Sequence, residues 1–387
     1  MKKQSVLNEL IPLPVTGIEE DINEEDISSL PFDPKNIRIV TDQPTISNII
    51  ERIKNNEIDL SPKFQRKSGL WKLREKSRLI ESLLARIPLP TFYMDAVNED
   101  RWIVIDGLQR LTTLKEYIID GETSENKNGF RLESLEFLKN CEGKKFCELE
   151  RRYQRRILET QINVSKIEMA DNREVQYTIF RRINTGGLPL SPQEIRHALN
   201  QGKITDFLQE LAEYKQFAQA CWNTLNASRM EDRECILRFL AFFHYGVDSY
   251  PGSNSSMDAF LNECMYKLNK EEDKTYNKLR TNFSQALELA TELFGRYAFR
   301  KPYKKRIYPF NKAIFESLMV ALGKLNQEEQ LQLQKKKNLL KKEYEILFTK
   351  NPDINDSFTS STGQIGRVKK RFDALEQLIS KILKSND

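Results

Sequence analysis

The polar and apolar positions along the chain change period near residue 190. Before it, short strand-like runs alternate with helical ones, and after it almost every apolar position recurs at helical spacing. Residues 45–58, TISNIIERIKNNEI, predict a short amphipathic helix capped by Thr45 or Ser47. In KLREKSRLIESLLAR, 72–86, Leu79, Ile80, Leu83 and Leu84 fall on one helical face, and Pro88 and Pro90 end the pattern. TFYMDAV, 91–97, and WIVI, 102–105, have the aromatic and β-branched bias of strands, and Asn98–Asp100 between them predicts a hairpin. Leu111, Leu114 and Ile118 then return to helical spacing. Residues 121–150 carry no clear period. ILETQINVSKI, 157–167, reads as a further strand, and NREVQYTIFRRI, 172–183, as a helix broken by the NTGG loop at 184–187.

SPQEIRHAL, from Ser191, is a strong helix start: Ser191 at the N-cap, Pro192 at the first position, Glu194 three residues after the cap. Helical segments are then expected over 203–221, 230–245, 256–270, 275–298, 308–349 and 365–384. No internal repeat or low-complexity tract interrupts them. The expected organisation is an acidic, mostly disordered lead-in over 1–36, a small mixed α/β domain over 37–200, and an all-helical domain over 201–387, an α+β chain overall.

Composition narrows the class. The chain has 387 residues, 39% hydrophobic and 30% charged, which fits a globular protein rich in amphipathic helices. No apolar run approaches the roughly 18 residues that span a bilayer, and the N-terminal apolar stretch is broken by Asn8, Glu9 and two prolines, unlike a signal peptide. A cytoplasmic protein without membrane association is expected. Its five cysteines (Cys141, Cys147, Cys221, Cys235, Cys264) lack a Cys-x-x-Cys pair and read as reduced packing residues. The formal net charge of +5 says little by itself. Its distribution says more: residues 19–33 hold seven acids and no base, whereas 300–306, RKPYKKR, and 335–342, KKKNLLKK, are basic. Such runs are solvated faces or phosphate contacts, so DNA is a candidate partner through them.

Common catalytic motifs are missing. There is no G-x-x-x-x-G-K-[ST], no G-x-G-x-x-G after a strand, no H-E-x-x-H and no G-x-S-x-G. What remains are polar clusters at element boundaries. Gln65 and Arg66 precede Trp71. DGLQRLTT, 106–113, places Gly107 where the backbone must turn or approach a ligand, and the amides that open the next helix favour an anion. Arg110 adds a forked donor, and Thr112 or Thr113 a hydroxyl. RRINTGGLPLSPQEIR, 181–196, adds two arginines, an Asn, two glycines and a second helix start. These residues allow two readings: a phosphate site, or ordinary turns in which Asp106 caps its own helix and Arg110 pairs with a carboxylate.

Taken together, FQRKSGLW, IPLPTFYMD, IDGLQRLTTL, FRRINTGGLPLSPQEIRHAL, EDRECILRFLAF and AFRKPYKKR resemble, in order, the N-terminal domain of GmrSD-type restriction endonucleases, also known as domain-of-unknown-function family 262, itself similar to the ParB/sulfiredoxin-like fold. The usual core of that family is D-G-Q-Q-R; here position 108 is Leu, while Asp106, Gly107, Gln109 and Arg110 are kept. The resemblance implies a nucleoside triphosphate bound with magnesium and hydrolysed, in defence against modified foreign DNA. It implies that Asp106, Gln109 and Arg110 serve catalysis. Gln65, Arg66, Gly107, Thr112, Thr113, Arg182 (rather than its neighbour Arg181), Asn184 and Gly186 would bind the nucleotide, and Asn184 with Glu194 would hold the metal. Many restriction proteins of this type carry an H-N-H nuclease, which needs a histidine base. No histidine follows residue 250, and His197 and His244 sit in helical patterns. The expected role is therefore a sensor or regulatory NTPase, with a nuclease on a separate chain or with none; the alternative is a non-enzymatic DNA-binding or partner-binding module with a vestigial nucleotide site.

Overall fold

The computed structural model describes residues 37–60, 71–122, 129–169, 173–183, 190–221, 224–251, 256–302 and 307–385. The predicted lead-in over 1–36, together with Gln65, Arg66, Asn184 and Gly186, lies outside the described residues. The chain divides into two compact units that part between Leu199 and Asn200.

The first unit is built on strands β1 (Ile37–Asp42), β2 (Ile58–Asp59), β3 (Phe92–Asp95), β4 (Trp102–Asp106) and β5 (Val164–Met169), in the order β1-β5-β3-β4-β2. The sheet is mixed. β1 runs antiparallel to β5 and β3 antiparallel to β4, while β5 is parallel to β3 and β2 to β4. The expected β3–β4 hairpin is present, with a register shift between Tyr93 and Met94. Helices α1 (Ile46–Lys54), α2 (Leu73–Leu84), α3 (Leu108–Ile118), α4 (Arg151–Glu159), α5 (Arg173–Ile183) and α6 (Pro192–Leu199) complete the unit.

Strand periodicity sorts these helices onto two cores. Trp102 and Val104 of β4, with Phe92 and Met94 of β3, turn toward the core shared with Ile46, Ile49, Leu83, Leu111, Leu114 and Ile157. Ile105, one position on, turns to a smaller core with Ile167, Tyr177, Phe180 and Ile195. The residues just before the polar turn at 106–110 and those of the second cluster therefore share one core. Thr45 caps α1 as expected, its Oγ1 accepting from the Asn48 amide at 3.4 Å.

One expectation is corrected here. Residues 157–159 belong to α4 and the strand begins only at Val164. α4 buries just Tyr153 and Ile157, spaced i,i+4 among arginines, so the apolar Ile157-Leu158 pair closes a helix and does not open a strand. The helical stretch expected over 308–349 is divided into three helices, α12 (Lys312–Gly323), α13 (Gln327–Lys335) and α14 (Lys337–Lys350), with Asn326 capping α13 through its own capping box.

The second unit is helical. Besides α12–α14 it holds α7 (Lys203–Ala212), α8 (Lys215–Ala220), α9 (Glu231–Tyr245), α10 (Met257–Leu268), α11 (Asp273–Phe294), α15 (Pro352–Ser357) and α16 (Ile365–Lys384). Phe239, Phe242, Phe283 and Phe315 fill its centre. Beside them lies a buried ionic network: Arg238 bonds Glu234 at 3.0 Å and Glu316 at 3.1 Å, Lys312 reaches Glu234 at 3.1 Å, and the Nε of Arg371 donates to Glu316 at 2.9 Å. Charges this deep persist because each is paired and hydrogen-bonded. The cysteines are all free thiols. Among the described residues, no helix is long and apolar enough to cross a membrane.

Candidate functional site

The polar turn sits where β4 hands over to α3. Gly107 is the N-cap of α3 at φ +98°, a left-handed conformation that glycine adopts without strain. Space demands glycine as well: a Cβ here would lie 2.5 Å from Cδ1 of Phe92. No side chain caps the helix. The first intrahelical bond is Leu111 N–H to Gly107 O at 2.9 Å, so the amides of Leu108, Gln109 and Arg110 have no acceptor within the helix. An uncapped N-terminus of this kind, with its positive dipole end, suits an anion.

Arg110 is enclosed. Its Nη2 donates to Asp106 Oδ2 at 2.8 Å and to Thr91 O at 3.2 Å, its Nη1 donates to Pro90 O, and the guanidinium lies 4.3 Å from the centre of the Phe92 ring. Burial pushes its pKa below the ordinary arginine value and the Asp106 carboxylate opposes that shift. These contacts tie the start of α3 to the entry of β3, so Arg110 holds the turn's shape. The sequence pointed to Arg110 but gave no sign of Pro90, Thr91 or Phe92 as its partners; the IPLPTF stretch that supplies them is visible only once the strands pair. Asp106 does not cap its helix, since that position belongs to Gly107, and it keeps about a third of its side chain exposed.

Gln109 stands one residue nearer the open helix end. Its Oε1 accepts from the Trp71 amide at 3.4 Å, and its Nε2 makes no hydrogen bond among the described residues. In sequence, Trp71 directly follows the stretch that holds Gln65 and Arg66. Thr112 is half-buried on α3. Thr113 is fully buried and its hydroxyl donates to Gln109 O at 2.8 Å.

The second cluster is built differently. Ser191 Oγ accepts from the Glu194 amide at 3.1 Å, and the Ser191 amide donates to Glu194 Oε2 at 2.5 Å, the capping box that the sequence predicts. Glu194 is wholly buried, as are Gln193 and Arg196, whose Nε donates to Gln193 Oε1 at 2.7 Å. Glu194, expected to hold the metal with Asn184, uses its carboxylate to close the start of α6 in this structure, and Asn184 lies outside the described residues. Among the described residues no group of three or more His, Cys, Asp or Glu side chains is placed to hold a metal. Arg182, near the end of α5, is exposed, and Arg181 is half-buried.

A further polar group escaped the sequence reading. Asp95, at the end of β3, is buried with Oδ1 accepting from the Val97 amide at 3.1 Å and Oδ2 accepting from Gln176 of α5. Burial raises its pKa. An acid closing the strand run TFYMD was the available signal.

Residues 46–201 match the family model of the GmrSD restriction endonuclease N-terminal domain. This segment belongs to that family. The match starts at α1 and runs just past α6, taking in both polar clusters and leaving most of the helical unit outside. It links the chain to restriction systems. A solved structure described as the C2221 form of a Pnob8-like ParB-N domain is also similar, at 13% identity and a TM-score of 0.21, covering 90% of this chain and 99% of that one. At that score the likeness bears no weight on the fold, which stands on the sheet and helices described above. No curated protein matches the chain.

Proposed function

We propose that the GmrSD-type domain is a nucleotide-binding module of a cytoplasmic restriction system that acts against modified foreign DNA, and that its triphosphate docks on the start of α3. One observation carries the reading: α3 opens on a glycine with no side-chain cap, beside an arginine–aspartate pair that fixes the turn. Phosphate oxygens would take the amides of Leu108, Gln109 and Arg110, with the Gln109 Nε2 as an added donor. Gln65, Arg66, Arg182, Asn184 and Gly186 remain part of the proposed pocket by family resemblance. Arg110 acts in it as a positioning residue.

A magnesium ion arriving with the triphosphate needs only one or two protein carboxylates, its other ligands being water and phosphate oxygens. Asp106, partly exposed at the turn, fits that requirement better than the enclosed Glu194. When bound, the ion would neutralise phosphate charge and favour hydrolysis. DNA cleavage would fall to a separate nuclease subunit. Titrating the full chain calorimetrically with each of the four ribonucleoside triphosphates and magnesium tests this. Binding of at least one, weakened at least tenfold in Gln109→Ala, is expected. No binding by any of them to a folded chain overturns the reading.

A further inference from the structure

The lysines on the outer helices of the second unit fall into two groups. Some are neutralised: Lys324 pairs with Glu376 at 2.5 Å, Lys369 with Asp248 at 3.0 Å, Lys370 with Asp353 at 3.6 Å and Lys381 with Glu343 at 2.6 Å. Lys336, inside the basic run 335–342, is spent on the end of α16, where its Nζ donates to Ile382 O at 3.2 Å. Others, Lys335, Lys342, Lys350 and Lys384 among them, make no ion pair among the described residues. Lys337 and Lys341 lie one turn apart on α14 and neither makes an ion pair or hydrogen bond among the described residues. Like charges at this spacing repel. Burial and Lys337 together hold Lys341 below the ordinary lysine value, while the Tyr297 hydroxyl nearby opposes that shift.

Tyr297 closes the short turn after α11, which Phe294 anchors to α14 by packing on Tyr344 at 5.0 Å between ring centres. Tyr297 is 40% exposed. Arg296 lies over it at 5.2 Å and donates to its hydroxyl at 3.2 Å, again with no carboxylate partner among the described residues. Arg296 and Lys341 thus both lie by a partly exposed aromatic ring, and Lys337 stands one turn from Lys341.

We propose that Arg296, Tyr297, Lys337 and Lys341 form a contact surface for a nucleic-acid strand with exposed bases. The cations meet successive phosphates, and a base stacks on the ring-and-guanidinium platform. Charge alone would suit any polyanion. The exposed aromatic favours an unpaired strand, because a base inside a duplex cannot present its face. The surface lies in the helical unit and does not depend on the nucleotide reading of the first.

The test is fluorescence anisotropy of the full chain with a labelled 20-nucleotide single strand and with the corresponding duplex, over a salt series. The wild type should prefer the single strand. K337Q/K341Q should weaken both and flatten the single-strand salt slope by about 1.4, at ~0.7 per phosphate contact. Y297L should weaken single-strand binding roughly fivefold or more and leave the duplex unchanged. K369Q/K370Q, removing paired lysines, should bind within about twofold of wild type. Wild-type protein that binds neither probe, or K337Q/K341Q with an unchanged slope, overturns the proposal, as does polyglutamate competing as well as DNA. Equal loss on both probes in Y297L overturns the stacking. Circular dichroism on each variant separates a lost contact from a lost fold.

Discussion

α3 and α6 both begin at a polar, glycine-containing stretch, both lie in the GmrSD-type domain, and the sequence offers both as anion sites. Their structures differ. α6 starts on a capping box in which Glu194 takes the Ser191 amide and Ser191 takes the Glu194 amide. That end is chemically finished, and its buried carboxylate would repel phosphate. α3 starts on Gly107, with no side chain to satisfy its first amides and with Arg110 turned inward to Pro90, Thr91 and Asp106. A helix start is a ligand site only where the chain has not already capped it.

The largest effect should come from the glycine that keeps α3 open. Gly107→Ala puts a side chain at φ +98° and against Phe92, for a cost of about 2–4 kcal/mol by chemical denaturation. Nucleotide affinity should fall along with it. Arg110→Lys comes next. A lysine keeps the charge but cannot serve Asp106 and two carbonyls in the guanidinium's geometry, so a loss of about 1–2 kcal/mol is expected. If Arg110 acts by positioning, the affinity lost should track the stability lost. A large affinity loss at unchanged stability would instead make it a direct phosphate ligand.

At α6 the prediction separates the two quantities. Ser191→Ala should cost about 1 kcal/mol of stability through the lost cap and leave nucleotide affinity within about twofold. An affinity loss of tenfold or more would move the site to α6 and undo the comparison.

The smallest effect concerns Asp95. Its folded pKa is raised by burial, so the folded state holds this proton more tightly than the unfolded chain does. Stability linked to Asp95 is therefore fully present below the ordinary aspartate value and declines as pH rises through the raised one. Asp95→Asn should flatten that acidic limb of the stability–pH curve, measured by denaturant midpoints from about pH 3.5 to 7. An unchanged limb would mean that other carboxylates set it.

Much of the local structure was legible because it rests on local chemistry. The face of α2, the β3–β4 hairpin and the Ser191–Glu194 box are set by residues three or four apart or by a turn. α4 was illegible because its helical signal is only Tyr153 and Ile157 among arginines. β1 was overlooked because an edge strand with exposed Arg38 and Ile39 lacks clean alternation. At the site, the identities of Gly107 and Arg110 were legible and their roles were not. The difference between a donor facing a ligand and one locked under Phe92 depends on strand pairing that brings residues 90–92 beside 106–110. Thr113 and Glu194 show the same dependence: both side chains have ligand chemistry, and in this structure both bond within their own helix start.

The most direct test is a crystal structure of the full chain with a nonhydrolysable triphosphate and magnesium. Phosphate density over the amides of Leu108–Arg110, with Arg110 still on Pro90 and Thr91 and the Ser191–Glu194 box intact, is the predicted result. Phosphate seated at the start of α6, with Glu194 swung out of its cap and α3 bare, would contradict it.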